Sequence, residues 1–469
     1  MTIHQCGSTN KQSTYSYMKY FYLFQLFLLC CTPLQLDAQQ TGLLVSGPML
    51  GYAEHREALI WMEVSPQVTS VAVQYGVKGG AKTAQKTVVF EGKLQQPFNP
   101  VKIVLGGLSM NTTYEYSVLL NGIVQKFPYS LTLTTKKLWE WREDPPAFSF
   151  LFGSCAYIND SVYDRPGDPY GQNPGIFESM TKQPSDFMLW VGDNVYLREA
   201  DFSSAYGIQY RYQHVRKLPQ LQAFLASRPQ YATWDDHDYG PNDSNFSYEL
   251  KDVALQTFIN YWGNKSYGEA GYNGVYGKFT WGDAEFFLLD DRYYRWHEKI
   301  PDSLSEKSYM GQRQLQWLQN ALLSSTATFK FIVSGSQMLN PLNDFECFTH
   351  YTREYNQLIG FLTQNKVKGV LFLSGDRHMT EIIKIQPNGF YPLYDVTSSP
   401  LTSRAYTSVL KDKEGNNPYR LPNTLVAEQN FVQIAFSGKR KDRVLTISCY
   451  NANNEKKWSM DIKQSELGY

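Results

Sequence analysis

Four short polar clusters in this sequence each follow a short apolar run. The clusters are Ser154-Cys155, Asp193-Asn194-Val195-Tyr196, Asp235-Asp236-His237-Asp238 and Asp376-Arg377-His378. Thiol, carboxyl, phenol and imidazole groups are side chains that bind metal ions in proteins. Several carboxylates that meet in one site need cations to neutralise them, because an unpaired buried charge is costly. The clusters therefore predict a metal site.

The chemistry of such a site depends on which metal ions it holds. Two ions that share one carboxylate can bind a phosphoryl group on both sides and activate water as hydroxide for its displacement. A donor set with a thiol, a phenol and an imidazole suits Fe(III) or Zn(II), whereas an all-oxygen set suits calcium, magnesium or manganese. His237 follows an acid directly and is placed to contact the phosphate or to protonate the leaving oxygen.

The apolar runs before the clusters indicate buried strands. From Phe148 onward such runs alternate with helical segments at 203–226, 248–262, 311–323 and 350–365, which is typical of an α/β fold. Open α/β sheets bind ligands at the carboxyl ends of their strands, so we expect the four clusters to meet in one crevice. A last β portion, FVQIAFSG and RVLTISCYN, is expected to close a second sheet.

The chain before Phe148 has a different pattern. Six or seven strand-like runs with turn residues between them predict a small β-sandwich over 41–135. Its segment Leu108–Tyr116 resembles the tyrosine corner of fibronectin type III-like domains. Residues 136–147 are predicted to be a linker, and 148–469 the catalytic domain.

The N-terminus carries the pattern of an export signal. An apolar run from Tyr20 to Cys31 is too short to span a bilayer comfortably and fits a secretory signal peptide over 1–38, with Met18 as an alternative start. An uncleaved anchor helix and a lipoprotein at Cys30 or Cys31 are the alternatives. We expect a product exported by a bacterium to the periplasm, the cell surface or the medium, with no transmembrane helix after cleavage.

Composition narrows the class of protein. The 469 residues are 42% hydrophobic and 19% charged, which excludes a disordered chain. Lysine plus arginine and aspartate plus glutamate both number 44, so no surface for coating nucleic acid is indicated. We expect a monomer. Three cysteines remain after the signal, and whether Cys347 pairs with Cys449 is left open.

The four clusters, in this order, resemble the alkaline phosphatase D (PhoD-like) metallophosphatases. The resemblance covers most of the chain after the signal and implies a four-layer αββα metallophosphoesterase sandwich, preceded by a small all-β fibronectin-like sandwich. It implies hydrolysis of small-molecule or polymer phosphate esters with Fe(III) beside Ca(II). The ligands it implies for iron are Cys155, Asp193, Tyr196 and His378. For calcium they are Asp193, which bridges, Asp236 and Asp376.

The resemblance also bears on catalysis and specificity. It gives His237 a phosphate-handling role, and Asp235 is assigned to catalysis or to orienting the other groups. The family's usual Asp-Asp-His-Glu is Asp-Asp-His-Asp here, so Asp238 and Asn242 are candidates for metal or substrate contact. Two alternatives to a phosphomonoesterase stay open. One is a diesterase, phospholipase D-like, acting on lipid or polymer diesters, and the other is a non-catalytic surface-binding protein on the same scaffold.

Overall fold

The computed structural model describes residues 42–81, 84–304 and 306–469. Residues Leu44–Tyr469 form one compact unit. The predicted signal peptide over 1–38 lies outside the described residues. Within the described ranges, no helix combines the length and the apolar character that a membrane span requires.

The N-terminal part of this unit is all β. Its eight strands are β1 (Leu44–Ala53), β2 (Glu57–Val64), β3 (Val71–Val77), β4 (Lys86–Val89), β5 (Pro100–Gly106), β6 (Thr113–Leu120), β7 (Ile123–Val124) and β8 (Thr132–Thr134). One sheet has the order β1-β2-β5, and the other has the order β4-β3-β6-β7 with β8 paired to β6. The backbone amide of Ser109 donates to the Tyr114 hydroxyl at 2.8 Å, the hydrogen bond of a tyrosine corner.

Two six-stranded sheets follow. The first central sheet has the order β11-β10-β9-β18-β19-β20, and the second has the order β12-β13-β14-β15-β17-β16. The strands are β9 (Phe148–Gly153), β10 (Phe187–Val191), β11 (Gln230–Thr233), β12 (Gly277–Trp281), β13 (Ala284–Leu288), β14 (Phe329–Val333), β15 (Val370–Ser374), β16 (Glu381–Ile385), β17 (Leu393–Thr397), β18 (Asn430–Ser437), β19 (Val444–Asn451) and β20 (Lys456–Lys463). The last β portion therefore extends the sheet of β9 and does not close a separate one. The predicted domain boundaries at 135 and 148 stay a prediction.

The four predicted helical segments are present, and two short helices, Ile176–Lys182 and Asp236–Tyr239, lie outside them. The α-helices are α1 (Ile176–Lys182), α2 (Ala205–Arg216), α3 (Pro219–Ser227), α4 (Asp236–Tyr239), α5 (Lys251–Tyr261), α6 (Gln312–Ser324) and α7 (Thr352–Gln364). The segment predicted at 203–226 is two helices, because Pro219 lacks an amide hydrogen and disfavours a helical conformation at the residue before it. Short 3-10 helices cover Phe348–His350, Thr407–Leu410, Lys413–Asn416 and Gln464–Leu467.

Successive residues of a strand point to opposite faces of its sheet and therefore contact different layers. Phe150 of the first central sheet meets Phe286 of the second edge to face, with ring centroids 5.1 Å apart. The next residue, Phe287, lies on the opposite face, in the cluster that includes Leu318 of α6 and Leu358 of α7. Helices α1 and α3 cover the outer face of the first sheet around Trp190. The predicted four-layer αββα sandwich is confirmed.

The strand directions bring the polar clusters to one edge. Strands β9, β10 and β11 are parallel, and so are β13, β14 and β15. The two sheets come very close where β15 ends. A Cβ atom on Gly375 would lie 2.4 Å from the carbonyl oxygen of Val191 and 2.5 Å from Cβ of Ser154. Only glycine therefore allows the residues after β15 to approach those after β9 and β10.

Candidate active site

The loops after these strands are held in an unusual backbone conformation. Cys155, Asp193, Asp376 and His378 all have positive φ angles, of 60°, 51°, 66° and 51°. Residues other than glycine rarely adopt this conformation, and it clusters at functional sites where the surrounding fold enforces it. The conformation turns the chain sharply at each strand end.

Cys155, Asp193, Tyr196 and His378 lie together. The Cys155 thiol lies 3.6 Å from Oδ2 of Asp193, and the Tyr196 hydroxyl lies 3.0 Å from Nε2 of His378. Ligand atoms of Cys155, Asp193 and His378 all fall within 4.8 Å of one another, which is a spacing that one metal ion can bridge. The structure thus brings together the four residues for which the resemblance implies a role as iron ligands.

A second cluster shares Asp193 with the first. Ligand atoms of Asp193, Asp236 and His237 also lie within 4.8 Å of one another. Asp376 and Asn242 line the same cavity, which has a volume of about 840 Å³. Asp193 is therefore the residue common to both clusters.

The electrostatics of the two clusters fit bound cations. Burial, with Asp236 and Cys155 close by, holds the pKa of Asp193 well above its usual range. Burial likewise holds the pKa of Asp376 well above its usual range and raises that of the Cys155 thiol. Burial thus disfavours the ionised forms of these groups, whereas a bound metal ion would stabilise the deprotonated forms that act as ligands. The thiol, phenol, imidazole and carboxylate groups gathered here are all types of side chain that bind metal ions.

His237 lies against the Tyr196 ring and beside Asp193. Its imidazole packs on the Tyr196 ring, with centroids 4.3 Å apart, and its backbone amide donates to Oδ1 of Asp193 at 3.3 Å. Nδ1 is buried and has no hydrogen-bond partner among the described residues, although His237 lines the cavity. Burial lowers the pKa of His237 to about 4, so the imidazole is neutral near neutral pH.

Asp235 has a different setting from its neighbours. It is fully buried and is not among the residues that line the cavity. Arg292 donates from Nε to its Oδ1 at 2.6 Å and from both terminal nitrogens to Glu346, at 2.9 and 2.5 Å. A third cluster consists of three carboxylates, those of Asp235, Asp236 and Glu346. The guanidinium of Arg292 contacts Asp235 and Glu346. The positive charge that balances the Asp235 carboxylate is therefore the guanidinium of Arg292.

Arg292→Gln tests this internal ion pair. The substitution should lower the free energy of unfolding by about 3–5 kcal/mol, because Asp235 would remain buried without its partner. The decrease is measured from the midpoint of urea unfolding. Arg313→Gln is the control, since Arg313 pairs with Glu269 at the surface and its removal should shift the midpoint little. Equal midpoints for the two variants would contradict the prediction.

Asp238 does not reach the cavity. Its carboxylate accepts backbone hydrogen bonds from Asn194, Val195 and Asp235, each at 3.1 Å. It is fully buried, and burial raises its pKa to about 7. Asp238 shapes the loop after β10, whereas Asn242 lies at the cavity as expected.

Several cavity residues are absent from the sequence prediction. Tyr170 lines the cavity and places its hydroxyl 3.2 Å from Nδ1 of His378. Glu346 also lines the cavity and accepts a hydrogen bond from Arg292. Both lie in irregular loops where no local sequence pattern indicates a site. The one available signal is that each loop follows a strand of a central sheet. Cys347 and Cys449, whose pairing was open, are both free and buried.

Comparisons with known proteins identify the family. A sequence model of the PhoD-like phosphatases matches residues 150–444. The chain belongs to the PhoD-like phosphatase family. It is therefore a phosphatase, a hydrolase of phosphoric esters, and the family of metallophosphatases to which it belongs uses metal ions. Residues 41–141 of this phosphatase match a domain of unknown function.

Solved structures support the fold of this phosphatase. The structure of PhoD is 17% identical, with a TM-score of 0.70 over 90% of this chain and 92% of that chain. A purple acid phosphatase from yellow lupin (Lupinus luteus) seeds is 11% identical, with a TM-score of 0.62 over 89% of this chain and 74% of that chain. At these identities the likeness shows the metallophosphoesterase fold alone. No curated protein matches the chain significantly.

Proposed function

We propose that this phosphatase is an exported phosphomonoesterase that works with Fe(III) and Ca(II). The observation that carries the proposal is the pair of donor clusters that share Asp193 in one cavity. The export part rests on the apolar segment Tyr20–Cys31 alone.

The donor types support a different metal ion for each cluster. Cys155, Asp193, Tyr196 and His378 would hold iron, because sulfur, phenol and imidazole donors suit that ion. Asp193, Asp236 and Asp376, with the amide oxygen of Asn242, would hold calcium, which prefers oxygen ligands. When bound, such ions polarise the phosphoryl group and neutralise its charge.

The protein's own groups would position the ester. His237 lines the cavity, and its imidazole is the group placed to hydrogen-bond a phosphoryl or leaving oxygen. Tyr196 holds the imidazole ring in place by packing against it. Arg292 secures Asp235 next to Asp236, so Asp235 acts as a positioning residue and not as a group that contacts substrate.

A diesterase is the second candidate function. The cavity of about 840 Å³ is far larger than a phosphate group, so its volume accommodates a phosphate with more than one organic substituent. Phosphodiesters with two organic groups would therefore fit the same site.

Removal and return of metal ions test both candidates. The protein from Gln39 onward is assayed with 4-nitrophenyl phosphate and bis(4-nitrophenyl) phosphate before chelation, after chelation, and after iron and calcium are restored. We expect chelation to abolish turnover of the monoester and the two ions together to restore it. Zinc, manganese and magnesium serve as alternative ions. Hydrolysis of the diester alone would favour the second candidate, and no hydrolysis of either ester by the metal-loaded protein would refute both.

A further inference from the structure

The cavity has an aromatic outer part that the metal clusters do not explain. Trp296, Phe345 and Tyr406 line it, together with the metal-ligand candidates. The Phe345 side chain is 53% exposed, whereas Phe150, Phe286 and Phe331 of the two central sheets are fully buried. Aromatic rings in a ligand cavity supply apolar contact area to whatever occupies it.

The Phe345 ring is held firmly despite its exposure. The guanidinium carbon of Arg377 lies 4.8 Å from the ring centroid, and the Tyr406 ring is nearly perpendicular to the Phe345 ring, with centroids 5.8 Å apart. Arg377 is itself fixed, because it donates two hydrogen bonds to Glu414 at 2.9 and 3.0 Å. The Phe345 backbone amide donates to the Asn343 side chain at 2.8 Å.

These contacts leave the ring rigid and partly open. A fixed aromatic ring loses little conformational entropy when another flat ring stacks on it, so stacking stabilises the complex at low cost. Arg377 lies over the ring and Tyr406 packs perpendicular to it, and about half of the Phe345 side chain, 53%, is still exposed where it lines the cavity. This apolar surface offers no contact that favours phosphate oxygens, whereas it can contact the alcohol part of an ester.

We propose that Phe345 is a stacking platform for the alcohol part of the substrate, and that the enzyme prefers phosphate esters whose alcohol carries a flat ring. This inference rests on the proposed phosphoesterase function of the same cavity. It makes Phe345 a specificity-determining residue.

A matched pair of esters tests the preference. Benzyl phosphate and cyclohexylmethyl phosphate have similar size and a primary alcohol as leaving group, but only the first is flat. With the metal-loaded full-length protein, Phe345→Leu should lower kcat/KM for benzyl phosphate by about three- to tenfold and leave the saturated ester within about twofold. Phe345→Trp keeps a flat face and should retain the preference.

Tyr272→Leu is the matched control. Tyr272 is 45% exposed and has Arg313 5.2 Å from its ring centroid, but it is not among the residues that line the cavity. We expect this variant to leave both esters unchanged. Equal losses for both esters in Phe345→Leu, or no loss for either, would overturn the proposal.

Binding of non-hydrolysable analogues separates this inference from the proposed function. 2-Phenylethylphosphonate and 2-cyclohexylethylphosphonate, in which CH2 replaces the bridging oxygen of each ester, report the preference through their Kd values, without turnover. If neither ester is hydrolysed, the phosphoesterase function fails, yet a Kd for 2-phenylethylphosphonate that rises only in Phe345→Leu would still support the platform. An unchanged Kd would refute it.

Discussion

Asp193→Asn should lower kcat by a factor on the order of 10³, which corresponds to the several kcal/mol that metal ions contribute to phosphoryl transfer. Asp193 is shared by both donor clusters, so loss of its negative charge weakens both. Asparagine is close in size and tolerates the positive φ of 51° at this position. The variant therefore removes the charge and keeps the loop. Elemental analysis should find fewer metal ions per protein chain.

The stability of the metal-free protein gives an independent measurement. Because the pKa of Asp193 is raised in the folded protein, its ionised form costs stability at neutral pH when no cation is bound. In the presence of a chelator, Asp193→Asn should therefore melt at a higher temperature than the unsubstituted protein. A lower melting temperature would show that Asp193 is needed for the fold and not for metal binding.

Asp186→Asn is the control for Asp193→Asn. Asp186 lies just before β10, at the opposite end of the strand that Asp193 follows, and accepts a hydrogen bond from the Ser149 amide at 2.8 Å. Its substitution should leave kcat and metal content near the values of the unsubstituted protein. A comparable loss of turnover in this control would assign the effect to the strand and not to the site.

His237→Ala should lower kcat by about 10²- to 10⁴-fold, the contribution of a positioned group that transfers or shares a proton. Metal content should stay unchanged, because we assign the imidazole of His237 to the substrate. Steady-state kinetics on an aryl phosphate and elemental analysis of the same sample give both values.

The cluster of Asp193, Asp236 and His237 defines the competing outcome for this variant. Loss of metal together with loss of turnover would show that His237 is a ligand, as the spacing of that cluster permits. His214→Ala is the control, since the His214 Nε2 hydrogen-bonds the carbonyl of Asn159 and the residue is not among those that line the cavity. Its turnover should not change.

The sequence alone was sufficient for the fold class and for the positions of the candidate donors along the chain. Buried strands and the polar residues that end them are local patterns, and parallel strands place their carboxyl ends at one edge. Cys155, Asp193, Tyr196 and His378 lie in three of the four polar clusters, and the structure brings them together; their role as metal ligands stays a prediction. The family match confirms the recognition of a PhoD-like phosphatase.

Other features depend on tertiary contacts. Arg292 and Asp235 are 57 residues apart in sequence, and Arg292 and Glu346 are 54 apart. Nothing in the local sequence separates Asp235, which pairs with an arginine, from Asp236, which faces the cavity. Asp238 likewise has a side chain of a type that binds metal ions, but its carboxylate accepts hydrogen bonds from three backbone amides.

The chain's local patterns thus determined which chemical groups are available and at which strand ends they lie. Only the tertiary structure decided which of these groups face the cavity and which are neutralised inside the protein. The physical reason is that a strand's position in a sheet follows from short-range periodicity, whereas the partner of a buried charge is set by contacts between distant loops. The same holds for Phe345, whose exposed ring is meaningful only because Arg377 and Tyr406 fix it at the cavity.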